Sequence, residues 1–568
     1  MSIVTKKISE FTTVSPTSAD YLLGNQYGIT NTVRVSAIAE IAKNVTMNSI
    51  VNDTNTKNTL ITQLTGDFIK KPSPPPAEDI PGQVLTYGNG GKWNVSLLRD
   101  QINYIVPSGP VDRLGKQQGH WIAYGVWIGK DGKVYGFGGQ EYRMLDATDS
   151  NRPVEHSATI RFWDNGNEDY LFNHPTVKVT QVQFGGYQTC ALLSDGTVWI
   201  DGYNGIYNGF GVVSDPGVFT YGFKKVTFAD GAIIKELWMN SSNDGNGTEC
   251  YAAISTTNNL YTWGANAYGQ CGTGGTTTVY TPTKITKTGM VGNVSKVSIA
   301  GGNNGTAINI VAITTDGNVW VAGYNGYGQL GTGDKVTKNT GFVQARINST
   351  TFLTNAKDIG FTPWAANCNR YIILNDGTLW GCGYNAWGQL GDNNTTESTY
   401  FKRVGSLTGV TKMVASGYAG TGIVCTALTT SGAVYTWGYN AHGAIGNGNT
   451  TDQKTPYLVN SSGATDIFCH CGFNTGHVTG YLKNKHLYSS GYRAFTQPDS
   501  PDVQSTHYPA HVDNVKDAWF LAGGGNPYGD HQSTIVLTED GHMYGWGVSQ
   551  WYSLGATNQN VYSPVRLT

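Results

Sequence analysis

The feature that most constrains the fold is a repeat that recurs about every 58 residues along most of the chain. Three tracts align without gaps: DGNVWVAGYNGYGQLGTGD at 316–334, DGTLWGCGYNAWGQLGDNN at 376–394 and SGAVYTWGYNAHGAIGNGN at 431–449. NNLYTWGANAYGQCGTGG at 258–275 joins them. Each copy has one glycine directly after an aromatic strand, which we call the anchor glycine: Gly138, Gly202, Gly264, Gly323, Gly383, Gly438, Gly491 and Gly547. Such a unit cannot bury a core alone and stacks against its neighbours.

Each unit is predicted to form four short antiparallel strands. An apolar run at 310–313 and a second strand at 318–321 flank an Asp-Gly turn, the sequence signal of a β-hairpin. A candidate strand precedes this hairpin at 294–297, and a fourth follows the loop after the anchor glycine, as at 455–459. Charged residues are only 13% of the chain and Gly contributes 75 residues, which excludes a mostly helical protein. The pattern predicts a mostly β fold with a seven- or eight-bladed β-propeller head.

The residues GYNxxGQLG, preceded by DGxVW, resemble the regulator of chromosome condensation repeat family over about 105–568. The resemblance implies a closed propeller, usually of seven blades. Eight copies are visible here, of which the first and seventh are degenerate, so seven and eight blades both stay open. We expect the final SPVRLT segment and the first unit, near 102–105, to complete one blade together, which would remove free strand edges.

The residues that recur in every unit have a structural interpretation. Glycine permits backbone conformations that other residues avoid, and Asn hydrogen-bonds local turns. On this basis we assign a structural role to Gly202, Gly264, Gly323, Gly383, Gly438, Asn325, Asn385 and Asn440. Tyr324, Tyr384 and Tyr439 recur as well, and we expect them to pack between blades rather than to form a site.

The first hundred residues show no repeat. Residues 8–43 resemble the opening of bacteriophage tail-fibre and tail-adaptor proteins, and 81–87, with Trp93 shortly after, resemble an element of phage fibre and collar chains. Apolar residues at three- and four-residue spacing between 47 and 68 predict a short helix, either a trimeric stem or one amphipathic surface helix. We therefore predict four segments: a tail-attachment anchor at 1–46, a helical stem at 47–70, a Pro-rich linker with a short β element at 71–104, and the propeller head at 105–568.

The chain carries no motif for catalysis, a metal or a cofactor. GxxxxGK[ST], HExxH and GxSxG are absent, and the cluster Cys469-His470-Cys471 is awkward for zinc because a strand points the middle residue to the opposite face. We therefore expect no enzyme, no metal and no cofactor. A formal net charge of −2 argues against nucleic-acid binding, and no apolar run is long enough for membrane insertion. The N-terminal residues do not read as a secretory signal.

The irregular loops are the places where repeat proteins usually carry specific function. The longest segment that departs from the repeat covers 139–175 and has aromatic residues beside arginine. This combination is suited to binding the faces of sugar rings or the hot spots of a partner protein. A satellite core under the loop is the competing interpretation for Phe162 and Trp163. The receptor-binding candidates are Tyr142, Arg143, Arg161, Phe162, Trp163 and Tyr170.

Three functional classes follow from these observations. The leading hypothesis is a virion structural protein, a phage tail fibre or receptor-binding protein that is assembled in the host cytoplasm. Its N-terminus would dock to tail or baseplate proteins, and a homotrimer would present the propellers to a host surface glycan or protein with added avidity. The alternatives are an intracellular regulatory propeller of the exchange-factor type and a glycan-cleaving tail protein. Propellers serve many functions, so the fold does not decide among them.

Overall fold

A computed structural model describes the repeat region in segments separated by gaps. The main described segments are 111–114, 116–117, 124–129, 134–138, 154–159, 162–164, 168–169, 176–185, 188–204, 218–240, 249–301, 307–360, 369–418, 422–471, 477–492, 503–509, 512–526, 529–547 and 561–566. The predicted anchor, stem and linker at 1–104 lie outside the described residues. The chain divides into two compact units, Met1–Pro107 and Ser108–Thr568, and the described strands all belong to the second.

The described segments form short strands, as the alternation of apolar runs and glycine-containing turns predicts. Those of the first half are β1 (Val111–Leu114), β2 (Lys116–Gln117), β3 (Tyr124–Gly129), β4 (Val134–Gly138), β5 (Val154–Thr159), β6 (Phe162–Asp164), β7 (Glu168–Asp169), β8 (Val179–Gly185), β9 (Gln188–Leu193), β10 (Val198–Asn204), β11 (Val218–Lys225), β12 (Ile234–Met239), β13 (Cys250–Ser255), β14 (Leu260–Gly264), β15 (Val279–Lys284), β16 (Val294–Ala300), β17 (Asn309–Thr314), β18 (Val319–Gly323) and β19 (Lys338–Gln344). Those of the second half are β20 (Ala356–Ile359), β21 (Arg370–Leu374), β22 (Leu379–Gly383), β23 (Ser398–Arg403), β24 (Val410–Tyr418), β25 (Gly422–Thr429), β26 (Val434–Gly438), β27 (Gln453–Asn460), β28 (Ala464–Cys471), β29 (His477–Lys483), β30 (His486–Tyr492), β31 (Val503–Pro509), β32 (Val515–Asn526), β33 (Gly529–Thr538), β34 (Met543–Gly547) and β35 (Val561–Arg566).

The strands assemble into seven four-stranded sheets and one seven-stranded sheet within the described residues. Each four-stranded sheet pairs its strands in chain order, as in β12-β13-β14-β15. The seven-stranded sheet repeats this order in β8-β9-β10-β11 and adds β2, β6 and β7 at its edges. The prediction of a mostly β propeller is therefore confirmed, and each sheet corresponds to one repeat of the sequence. We number these blades one to eight along the chain.

The first strands of successive blades contact one another, as β12 contacts β16 and β24 contacts β28. They line the centre of the propeller, and the fourth strands form its outer edges. The first blade contacts the last through β1, β32 and β33. The expectation that the final segment shares a blade with the first unit is wrong, because β35 pairs with β34 and completes its own sheet.

The hydrophobic core lies between blades rather than within them. One buried cluster joins Ile254 of the third blade to Ile310 of the fourth, and another joins Val321 of the fourth to Ile372 of the fifth. Similar clusters join the other neighbouring blades from the second to the eighth. The second and third strands are therefore buried on both faces, which explains their nearly continuous apolar sequences.

Every anchor glycine lies at a register shift between the third and fourth strands of its blade. Gly323 has φ +100°, and a Cβ there would lie 2.6 Å from the carbonyl oxygen of Ile308. Only glycine fits this combination of positive φ and close backbone approach. The bulge turns the chain out of the sheet and into the loop that follows. We call this end of the blades the anchor end, and the opposite end, where the Asp-Gly hairpins lie, the turn end.

Candidate functional site

The loops at the anchor end carry aromatic residues one and four positions after the anchor glycine. The fourth and fifth blades have Tyr324 with Tyr327 and Tyr384 with Trp387, and each of these side chains is half-buried. Together with neighbours in the third, sixth and seventh blades they form one row of rings, which we call the aromatic arc: Tyr268, Tyr324, Tyr327, Tyr384, Trp387, Tyr439, His442 and His477.

Neighbouring rings of the arc contact one another without interruption. Tyr268 and Tyr324 lie 5.4 Å apart between centroids, Tyr327 and Tyr384 lie 5.5 Å apart, and Tyr384 and Trp387 lie 5.3 Å apart. These pairs meet edge to face, with interplanar angles of 79°, 74° and 66°. Edge-to-face pairs are favoured by the ring quadrupoles. The arc is therefore a continuous aromatic surface that crosses five blades.

A buried asparagine fixes each loop of the arc. The side-chain oxygens of Asn325, Asn385 and Asn440 accept hydrogen bonds from the backbone N–H groups of Leu330 (2.9 Å), Leu390 (2.8 Å) and Ile445 (2.9 Å). Their amide groups donate to carbonyl oxygens nine residues downstream, at 2.9, 3.1 and 3.0 Å. Each asparagine therefore closes its loop at both ends and positions the aromatic residues beside it.

Several polar groups of the arc have no hydrogen-bond partner among the described residues: the hydroxyls of Tyr268, Tyr327 and Tyr384 and the indole N–H of Trp387. Two buried aromatic residues elsewhere use these groups. Tyr371 Oη donates to the carbonyl oxygen of Gln389 at 2.7 Å, and Trp437 Nε1 donates to the same oxygen at 2.7 Å. The arc therefore combines apolar rings with donors that a bound molecule can use.

The arc ends in a pair of stacked histidines. The rings of His442 and His477 lie 5.7 Å apart at an interplanar angle of 13°, and Tyr439 packs against both. His477 is buried, and its Nε2–H donates to the carbonyl oxygen of Gly422 at 3.0 Å. Burial lowers the pKa of His477 to about 4, and His442 adds to the effect. His477 is therefore neutral at physiological pH.

The turn end carries a different surface, a row of polar and charged residues in the first strands. Each row member follows a register shift near the start of its strand. We call these residues the axial row: Arg113, Gln181, Glu236, Lys296, Asp358, Lys412, Asp466 and Asp517. Charges at such an edge prevent pairing with another strand.

Two ion pairs of the axial row join neighbouring blades. Lys296 Nζ lies 3.8 Å from Asp358, and Lys412 forms an ion pair with Asp466. Asp517 follows Asp466 in the row, so two carboxylates are adjacent. Burial raises the pKa of Asp517 to about 6, with a further contribution from Asp466.

Of the six predicted receptor-binding residues, the structure describes Phe162 and Trp163. Phe162 and Trp163 lie on β6, which pairs in parallel with β11 at Phe223 and Lys224 and so extends the second blade. The other four candidates lie outside the described residues: Tyr142, Arg143, Arg161 and Tyr170.

The sequence did not predict that its recurring tyrosines form part of a binding surface. Tyr324, Tyr384 and Tyr439 were expected to pack between blades, and they do contact rings of adjacent blades. They are also half-buried at the anchor end, where they form part of the arc. The signal that could have found the site was the second aromatic position, four residues after the anchor glycine. In the part of the chain that the structure describes, no three His, Cys, Asp or Glu side chains are grouped to hold a metal ion. No helix of that part is long and apolar enough to cross a bilayer.

Two stretches, 258–308 and 431–475, match the family profile described as the regulator of chromosome condensation (RCC1) repeat. The chain is thus a β-propeller protein that carries RCC1-like repeats in these two stretches. The arc draws on the loops of both matched stretches. The predicted resemblance to this repeat family is thus confirmed.

Relatives include regulatory proteins of animals and plants. The chain is 25% identical to the mouse (Mus musculus) E3 ubiquitin-protein ligase HERC2 over 327 residues, 56% of this chain and 6% of that protein. It is 26% identical to the ultraviolet-B receptor UVR8 of Arabidopsis thaliana over 51% of this chain and 60% of the receptor. It is also 26% identical to the RCC2 homolog of Danio rerio, over 52% of this chain and 59% of that protein. The chain thus spans less than two thirds of each of these relatives.

Two solved structures resemble the chain at low sequence identity. Human WBSCR16 has a TM-score of 0.47 and 17% identity, with 66% of this chain and 88% of that one covered. Prp20p of Saccharomyces cerevisiae has a TM-score of 0.47 and 16% identity, with 78% of this chain and 87% of that one covered.

These relatives overturn the leading hypothesis from the sequence. The chain was expected to be a virion tail protein, and that conclusion is wrong, because its relatives are RCC1-like regulators. The N-terminal resemblances are short, whereas the repeat covers most of the chain. Neither the phage attribution nor the trimer is supported by these comparisons. The absence of enzymatic activity stays a prediction.

Proposed function

We propose that this chain is an intracellular regulatory propeller that binds a partner protein through the aromatic arc. The observation that carries the proposal is the unbroken row of aromatic rings across five blades. Most of these rings are half-buried, and several keep unused hydrogen-bond donors. A propeller fold needs its glycines and asparagines in each unit, but it does not need half-exposed tyrosine and tryptophan at its surface. Such residues are enriched in the energetic centres of protein interfaces.

The relatives support this class of function. Their names describe a ubiquitin ligase and a light receptor, two different activities in proteins that share the repeat. Repeat scaffolds present extended binding surfaces whose specificity resides in the loops. We therefore assign to this chain the element common to such proteins, a rigid surface that recognises another protein.

The test compares the wild-type chain with the double variant Tyr327→Ala/Trp387→Ala. Each protein is immobilised, and bound proteins from a cell extract of the source organism are quantified by mass spectrometry. The matched control is Tyr280→Ala/Tyr457→Ala, which removes two exposed aromatic residues, 44% and 40% accessible, from the outer strands β15 and β27. Circular dichroism checks that each variant is folded.

The proposal expects a partner that the wild type and the control retain and that the arc variant loses. Truncation of two central aromatic residues costs about 2–4 kcal/mol of binding, enough for a loss of more than tenfold. Equal retention by the arc variant and the wild type would place partner binding elsewhere on the chain and overturn the proposal.

A further inference from the structure

We propose that the aromatic arc recognises an extended, proline-rich segment of its partner in the polyproline II conformation. This inference rests on the proposed function, since it names the chemistry of the partner at the same surface. Three properties of the arc lead to it: its neutrality, its free donors and the spacing of its rings.

The arc is electrically neutral. The contacts between cations and rings in the described residues involve Trp199, Trp320, Phe352 and Phe468, none of which belongs to the arc. Charged residues in the loops of the fourth and fifth blades form ion pairs. Asp334 lies 2.7 Å from Lys338 and Asp392 lies 3.8 Å from Lys402, while Lys335 pairs with Glu397. A surface of this kind offers no electrostatic attraction to a basic or an acidic segment, and its complement is an uncharged chain.

Four polar groups of the arc can donate hydrogen bonds. Tyr268, Tyr327 and Tyr384 present hydroxyls, and Trp387 presents an indole N–H that can only donate. A polyproline II segment makes no internal hydrogen bonds, so its carbonyl oxygens are free to accept, and its proline residues have no N–H to leave unsatisfied. Aromatic grooves with such donors are a recurring means of binding proline-rich segments.

The geometry of the rings matches a segment of this shape. Consecutive rings alternate in orientation, since Tyr327 meets Tyr384 at 74° and Trp387 meets Tyr439 at 78°. A polyproline II helix advances about 9 Å per turn, the same order as two ring steps along the arc. Successive turns of the segment therefore meet successive blades.

The test uses a synthetic peptide of about ten prolines and a Gly-Ser peptide of the same length, titrated into the full-length protein by calorimetry. The variant is Tyr327→Phe/Tyr384→Phe, which keeps both rings and removes both hydroxyls. Its matched control is Tyr280→Phe on the outer strand β15. We expect the proline peptide to bind more tightly than the Gly-Ser peptide, and the arc variant to weaken that binding about fivefold or more. The control variant should bind like the wild type.

Three outcomes would overturn the inference: equal binding of the two peptides, unchanged binding by the arc variant, or tighter arc-dependent binding of an oligoarginine peptide or of a maltose oligosaccharide. The last two probes distinguish recognition of cations and of sugars from recognition of proline. If partner capture still depends on Tyr327 and Trp387 while the proline peptide fails, the proposed function stands and only this inference falls. If capture does not depend on them, both fall.

Discussion

The strands of each blade end on different kinds of residue at the two ends of the propeller. At the anchor end, the third and fourth strands separate at a glycine with positive φ, and the loop that follows carries aromatic rings. At the turn end, the first strand begins at a register shift marked mainly by a charged residue. The anchor end thus gathers an apolar surface with donors, whereas the turn end keeps alternating charges around the axis. The difference explains why we place recognition at the anchor end.

The largest expected effect concerns the anchor glycine. Replacing Gly323 by Ala forces a Cβ into contact with the carbonyl oxygen of Ile308 at a backbone φ of +100°. We expect the free energy of unfolding to fall by about 3–4 kcal/mol, from the strained φ and from the overlap together. Urea unfolding followed by tryptophan fluorescence measures the loss.

Gly275→Ala is the matched control for this prediction. Gly275 has φ +113°, but nothing lies within 4 Å of the position of a Cβ there. Gly275→Ala should lower the free energy of unfolding by only about 1 kcal/mol, which is the cost of the strained φ alone. Equal losses in the two variants would show that close backbone approach is not what the anchor position requires.

The next prediction is a pH dependence that arises at the anchor end. The unfolded pKa of a histidine is about 6.5, and burial lowers that of His477 to about 4. The unfolded chain therefore takes up a proton first as the pH falls. The contribution of His477 to stability is fully present above pH 6.5 and is lost as the pH drops towards 4, by about 2–3 kcal/mol.

Unfolding free energies of the wild type and of His477→Gln, measured between pH 7.5 and pH 4, check this. The glutamine retains an N–H that can donate to the Gly422 carbonyl but does not titrate. The wild type should lose more stability across this window than the variant. Parallel curves for the two proteins would contradict a buried neutral histidine at this position.

The turn end should show the opposite sign. The folded pKa of Asp517 is raised to about 6, so ionisation of its carboxyl group disfavours the folded state. The contribution of Asp517 is fully present below its unfolded pKa of about 3.9 and is lost as the pH rises through 6. Asp517→Asn should therefore stabilise the protein at pH 7 by about 1 kcal/mol, after allowance for solvent screening, and have little effect at pH 4.

Asp358→Asn is the control for the axial row, because Asp358 faces Lys296 rather than a second carboxylate. Its substitution should leave stability at pH 7 unchanged or slightly lower. Thermal unfolding at the two pH values compares both variants. Stabilisation by both substitutions would mean that the row as a whole, rather than the adjacent carboxylates, carries the unfavourable charge.

The smallest effect tests a departure from the repeat at the turn end. Thr197 and Thr378 accept a hydrogen bond from the indole N–H two residues later, of Trp199 at 2.8 Å and of Trp380 at 3.0 Å. In the fourth blade Asn318 replaces this threonine, and Trp320 Nε1 is buried with no hydrogen-bond partner among the described residues.

Asn318→Thr should therefore raise the free energy of unfolding by about 0.5–1 kcal/mol, because it supplies the missing acceptor. The reciprocal substitution Thr378→Asn should lower it by at least as much. Both are measured by urea unfolding. A neutral result for both would mean that the indole N–H reaches water in solution.

The comparison of the two ends also shows how far sequence reasoning reaches. The Asp-Gly hairpins, the strands around 310–321 and the anchor glycines follow from local preferences, since turn chemistry and period-2 patterning act over a few residues. The sequence did not predict the charges of the axial row, because no local pattern indicates which residue of a first strand will follow a bulge. The aromatic arc was misjudged because the exposure of a side chain depends on what the neighbouring blade places beside it.

The sequence by itself determined that the chain repeats a four-stranded unit, where each unit turns and which residues recur. Tertiary structure decided the rest. Tyr327 and Tyr384 are separated by 57 positions in the chain yet lie 5.5 Å apart, because the closed stacking of blades brings the same loop of each unit to one end. A binding surface built from one or two side chains per loop exists only once the blades are assembled, and a sequence alone records the side chains but not their assembly.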